Sequence, residues 1–285
     1  MIIRAGYEIS LDYPESTAVI ATLLLHPSRL MSMRKPEFFQ VSPYTPYTEY
    51  MDLYGNRCAR VFVAPGRTTF MNDFTVEDDG LPDPQVWDAR QHQVEELPYD
   101  ALGYLMASRY CDIDSELREV AKTHFYQTPM GWGRVRAICT FVNNHIRFDY
   151  MQARSNRSAS EAYREAVGVC RDYTHLAIAF CRIMNIPARY CTGYLGDIRV
   201  PDVPPMDVSA WFEAYLGGRW HTFDARNLAP RIGRILIGRG RDAADVPLTT
   251  SFGLNQLSGF KVWTYEETAE SSNVMAGSAT GSLRA

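Results

Sequence analysis

Gly168 breaks the chain two residues before Cys170, and from there onward apolar residues recur at helical spacing. Tyr173, Leu176, Ala177, Phe180 and Met184 fall on one side of a helix, and the spacing predicts that this face is buried. Cys170 precedes Tyr173 by three residues, so its sulfur belongs to the same inward face, in the first helical turn. There the helix dipole is positive and backbone N–H groups lack partners, so a thiol is expected to have a lowered pKa and a larger thiolate fraction. Arg171 beside it is expected to add to that effect. A cysteine at a helix start, aimed at whatever the helix packs on, has the geometry of a nucleophile; the alternative is a cysteine acting as a small hydrophobe. The helix is expected to stop at Asn185-Ile186-Pro187, with strands from Ala188 onward.

The texture of the chain changes near Leu97-Pro98. Before it come short strand-like segments at 7–11, 17–25, 47–53, 59–64 and 68–76, with Tyr54-Gly55-Asn56 and Ala64-Pro65-Gly66 as hairpin turns. This predicts an all-β module over residues 1–97. After it, Asp114-Ser115-Glu116-Leu117 opens one helix, and Trp132, Val135, Cys139, Val142 and Ile146 form the stripe of a second. Ser158-Ala159-Ser160-Glu161 is a capping box for a third helix, with Gly168 as its stop. Helices followed by strands without alternation give an α+β class for a core over 98–266. Residues 267–285 are small and polar and are expected to be a disordered tail.

Gly217-Gly218 is a two-residue turn signal, and it sets a register. With that loop Leu216 pairs Arg219, Ala214 pairs His221, Trp211 pairs Asp224 and Ser209 pairs Arg226. Paired residues share a face, so Ser209, Trp211 and Asp224 point one way. His221 points the other, among Ala210, Phe212, Leu216 and Phe223, as a packed core histidine; a three-residue loop would exchange the faces. His175 sits about 140° around the helix from Cys170. His26, His92, His124 and His145 carry no signal toward the cysteine, so the residues leave the proton acceptor open.

The run from Cys170-Arg171-Asp172-Tyr173-Thr174-His175-Leu176 through Ile186-Pro187-Ala188-Arg189-Tyr190 to Gly193-Tyr194 resembles the bacterial transglutaminase-like family, cysteine enzymes with a papain-like core. Ser209-Ala210-Trp211-Phe212-Glu213-Ala214-Tyr215-Leu216, followed by Trp220-His221-Thr222-Phe223-Asp224, is similar to that family's histidine and aspartate hairpin. Gly131-Trp132 and Ile146-Arg147-Phe148 extend the likeness over roughly residues 97 to 265. The family block is His-Ala-Trp, and this chain has Ser209-Ala210-Trp211, a hydroxyl where the general base belongs. The resemblance implies a transglutaminase-like core with helices on an antiparallel sheet, often preceded by an N-terminal β module. It implies Cys170 as nucleophile, Asp224 as the orienting carboxylate, Ser209 at the histidine position, and no cofactor. Read from the residues alone, Asp224 has the alternative of an ion pair with Arg226 or Arg219. Trp211 and Trp220 are packing residues, and the basic cluster of Arg226, Arg231, Arg234, Arg239 and Arg241 is a salt-bridged surface with Asp242 and Asp245.

The function implied is acyl transfer from amide or peptide bonds through a Cys170 thioester, as a protease, amidase or transglutaminase with a peptide or protein substrate. The alternative is a non-catalytic peptide- or protein-binding module. A net charge of −4 gives no reason to expect nucleic-acid or anionic-membrane partners. Six cysteines without a Cys-x-x-Cys pair argue against a disulfide scaffold and against a zinc site. The first residues lack the apolar core of a signal peptide, and Leu23-Leu24-Leu25 is too short to span a bilayer, so a cytoplasmic location is expected.

Overall fold

The computed structural model describes residues 1–196, 198–201 and 207–267; the expected tail from 268 onward lies outside them. Its centre is a four-stranded antiparallel sheet in the order Arg219–Phe223, Val208–Leu216, Ala188–Tyr194, Ile235–Gly240. The helix Cys170–Ile183 packs on this sheet, and helices Leu117–Phe125, Trp132–His145 and Ala159–Glu165 pack around it in turn. The helix is therefore buried on every side rather than along one stripe: each residue from Asp172 to Arg182 is enclosed. Its polar residues then need partners inside the fold. Arg182 reaches the carbonyl oxygens of Ala188, Met106 and Arg241 and the Ser108 hydroxyl.

Local signals fix the ends of these helices. Ser158 Oγ accepts from the Glu161 N–H and the Glu161 carboxylate from the Ser158 N–H, the capping box expected from the residues. That helix ends at Ala166, left-handed at φ 52°, and not at Gly168. Gly168 belongs instead to a short parallel pair between Arg147–Phe148 and Val167–Gly168. It is required there by close approach, because a Cβ would lie 2.5 Å from Asp172 Oδ2.

The amino-terminal strands form two sheets. One runs Gln256–Glu266, Ile2–Tyr13, Gly66–Glu77, Met33–Lys35, with Gln40–Ser42 also on Gly66–Glu77; the other runs Thr249–Ser251, Thr17–Ala21, Arg57–Val63, Tyr47–Met51. Tyr54-Gly55-Asn56 closes a hairpin, as expected. Ala64-Pro65-Gly66 does not: the strands on either side of it lie in different sheets. Residues 249–266, which the sequence groups with the core, pair with the amino-terminal strands instead. Alternating apolar residues such as Ile3, Tyr7, Phe70 and Phe74 fill the space between the sheets, and Tyr194, Ile235 and Ile237 of the central sheet join that cluster. Asn56 ties the parts together, its Nδ2 donating to the Arg239 carbonyl at 2.7 Å and its Oδ1 accepting from the Arg239 N–H at 2.8 Å. Among the described residues no helix is long and apolar enough to cross a membrane.

Candidate active site

The start of the Cys170 helix is held by a buried carboxylate. Asp172 Oδ2 accepts from the Val169 N–H and from Arg157 Nη1, each at 2.9 Å, and Arg157 continues to Glu165 and the Gln152 carbonyl. Burial raises the Asp172 carboxyl, and the Val169 N–H and Arg157 draw it back. This network sets the helical turn from which Cys170 projects.

Cys170 is half-buried, whereas Cys58, Cys111, Cys139, Cys181 and Cys191 are all buried; all six are free thiols. Cys170 lines an open cavity of about 510 Å³ with Asp207, Ser209, Ala210, Tyr190 and Thr192. The expected lowering of its pKa is not found. Burial pushes the thiol up to about 11, because desolvation of the anion outweighs one turn of helix dipole. Arg226 and the Ala210 N–H work against that rise, and Asp207 and Asp224 add to it. Arg171 is not among the groups that act most on the thiol: its guanidinium bonds the carbonyls of Ser155 and Arg154. Cys111 is pushed further, to about 12.

Asp224 does not line this cavity. Its Oδ1 accepts from the N–H groups of Arg226 at 3.0 Å and Asn227 at 2.8 Å; its Oδ2 accepts from Asn227 Nδ2 at 3.1 Å and Arg234 Nη2 at 3.0 Å. The ion-pair partner is thus Arg234, not Arg226 or Arg219. Arg234 is buried, also bonds Asp83, and lies 5.0 Å from the Trp211 ring. Asp224 shapes the turn that sends Arg226 over the Phe148 ring, 3.8 Å from its centre.

The hairpin has the register dictated by its two-glycine loop, with Leu216 opposite Arg219 and Ala214 opposite His221, and Gly217 and Gly218 at φ 56° and 86°. Pairing ends at Phe212 and Phe223, so the chain diverges before Trp211–Asp224 and Ser209–Arg226. His221 is packed edge-on to Trp132 and donates from Nε2 to the Leu216 carbonyl. His175 is stacked between Tyr110 and Tyr190, with Nε2 accepting from the Ala243 N–H. None of the six histidines lines the Cys170 cavity.

Two groups at the site escape the sequence reading. Asp207 is raised by burial and drawn back by the Val208 N–H and Arg226. Its signal was strand alternation, since it lies two residues before Ser209. Arg226 is masked by its membership of an arginine-rich run; the register extrapolated from the turn sets it opposite Ser209, but pairing ends before that point.

A family model for the transglutaminase-like superfamily matches residues 119–225. The structure is similar to that of a candidate cysteine protease from Cytophaga hutchinsonii, with a TM-score of 0.79 at 30% identity over 93% of this chain and 90% of that one. An uncharacterized protein of Mycobacterium leprae is 32% identical over 105 residues; the match spans 35% of this chain and only 38% of that protein.

Proposed function

Because the chain belongs to the transglutaminase-like superfamily, we propose that it is a cysteine-nucleophile hydrolase or acyl transferase acting on amide or peptide bonds of a peptide or protein. The observation that carries this reading is that Cys170 alone among the six cysteines escapes full burial, and that it does so at a helix start in an open cavity. In this mechanism Cys170 Sγ attacks the carbonyl carbon as its proton passes to a base. Backbone N–H groups of the helix start meet the oxyanion, while the Ala210 N–H faces the sulfur. Collapse expels the amine and leaves a thioester on Cys170. Water as acceptor makes the protein a protease or amidase, and an amine makes it a transglutaminase. The chemistry calls on no metal or cofactor. Six free thiols suit a reducing compartment, and the reading places the protein in the cytoplasm.

The absence of an imidazole lining the cavity favours a second reading, a peptide-binding module without turnover. p-Nitrophenyl acetate separates the two. A burst of nitrophenol with an acetyl group mapped to Cys170, lost in Cys170→Ser, supports the enzyme. No adduct at any pH up to 10 supports the binding module.

A further inference from the structure

We propose that Asp207 accepts the Cys170 proton and that Arg226, positioned by Asp224, is the cation that steadies the thiolate, so that a carboxylate and a guanidinium replace an imidazole. This rests on the acyl-transfer reading above and names the missing base within it. Asp207 immediately precedes the strand that carries Ser209 and Ala210, and it lines the same cavity as Cys170. Its Oδ1 accepts the adjacent Val208 N–H, while Oδ2 takes no hydrogen bond among the described residues. Asp224 differs: both its oxygens are occupied, four bonds in all, and it has no lone pair directed at the cavity. Arg226 has no carboxylate within ion-pair distance among the described residues, and its side chain lies on Phe148, which packs edge-on to Tyr150.

Besides burial, the groups that act most on the sulfur are Arg226, Asp207, the Ala210 N–H and Asp224; the Tyr150 and Tyr190 hydroxyls sense the cysteine in turn, and Arg109 and Arg171 also line the cavity. Burial raises Asp207 above an ordinary carboxyl, which makes it a better proton acceptor. In the first half-reaction the S–H proton moves to Asp207 as sulfur bonds the carbonyl carbon. The carbonyl π pair moves to oxygen and returns as the C–N bond breaks, and Asp207 hands the proton to the leaving amine. In the second, Asp207 takes a proton from water as the water oxygen bonds the thioester carbon. The C–S bond breaks and the thiolate recovers the proton.

The test uses p-nitrophenyl acetate hydrolysis and the pH profile of Cys170 alkylation by iodoacetamide, in the wild type, Asp207→Asn and Arg226→Gln. For Asp207→Asn the expected result is a crossed one. Alkylation moves to lower pH, because a neighbouring negative charge is gone, while steady-state deacylation falls 10²–10⁴-fold. Arg226→Gln moves alkylation to higher pH. A residue that only supports the fold would lower both rates together; that result, or an unmoved alkylation profile in both variants, overturns the proposal. Arg226→Gln keeps the question open to refutation if Asp207→Asn does not fold. A wild type that never acylates at Cys170 sinks the acyl-transfer reading itself. Acylation with unchanged deacylation in Asp207→Asn sinks only the assignment of the base.

Discussion

The packed interior around the Cys170 helix and the cavity at the start of that helix hold different ionisable groups. The packed interior holds the imidazoles: His175 on the helix itself, between two tyrosine rings, and His221 on the sheet against Trp132, both buried and pushed toward the neutral form by desolvation. The cavity is lined by the Cys170 thiol, the Asp207 carboxylate, the Ser209 hydroxyl, Arg109 and Arg171, and by Tyr110 and Tyr190, with no imidazole. Behind it, Asp224 is locked to Arg234 and to its own turn. Burial alone therefore does not mark a functional group in this fold. What separates Asp207 from Asp224 is whether its oxygens are already committed.

Breaking the anchor should have the largest effect on stability. Asp224→Ala strips the buried Arg234 of one of two carboxylates and should cost about 3–5 kcal/mol in urea unfolding. A loss below about 1 kcal/mol would mean that the anchor is no more fixed than the cavity. On the cavity side, Gly168→Ala drives a methyl group into Asp172 and should cost about 1–3 kcal/mol. It should also slow Cys170 alkylation by displacing the helix start, and wild-type stability with wild-type alkylation would refute the contact.

The helices, the Ser158 capping box and the hairpin register were legible because each depends on residues within one or two turns of the chain. Gly217-Gly218 alone determined that His221 faces inward. What could not be read was long-range pairing. Nothing local joins Leu11 to Leu257, or assigns the strands beside Ala64-Pro65-Gly66 to different sheets. The thiol was misjudged for a related reason: helix position is written in the sequence, but the desolvation that outweighs it depends on which strands close over Cys170. Arg171 is near in sequence but commits its guanidinium to the Ser155 and Arg154 carbonyls; Arg226 is remote in sequence, yet its charge works against the rise of the thiol.

Acid should destabilise the fold through its buried histidines. An imidazole whose pKa is depressed in the fold contributes stability that is complete above its ordinary value of 6.5 and is lost as pH falls below it. His175 is lowered well below that value and His26 to about 4, in both cases mainly by burial. Each should therefore remove about 1.4 kcal/mol per pH unit below 6.5. Asp172 and Asp207, raised by burial, act in the opposite sense as pH falls toward the carboxylate range. Thermal melts between pH 7.5 and 5.5 should show a falling Tm; a flat profile would mean that these rings titrate in the fold as they do in the unfolded chain. The smallest effect belongs to His221→Phe. It should cost about 1 kcal/mol, the price of one hydrogen bond to the Leu216 carbonyl, and leave ester hydrolysis unchanged.

The central claim, that the Cys170 thiol is governed by burial, Asp207 and Arg226 and not by an imidazole, is most directly tested by residue-resolved alkylation of Cys170 across pH 5 to 11. The rate should climb continuously through neutrality toward a midpoint near pH 11, with no lower step. A plateau reached by pH 7, the mark of a thiolate paired with a protonated histidine, would contradict it.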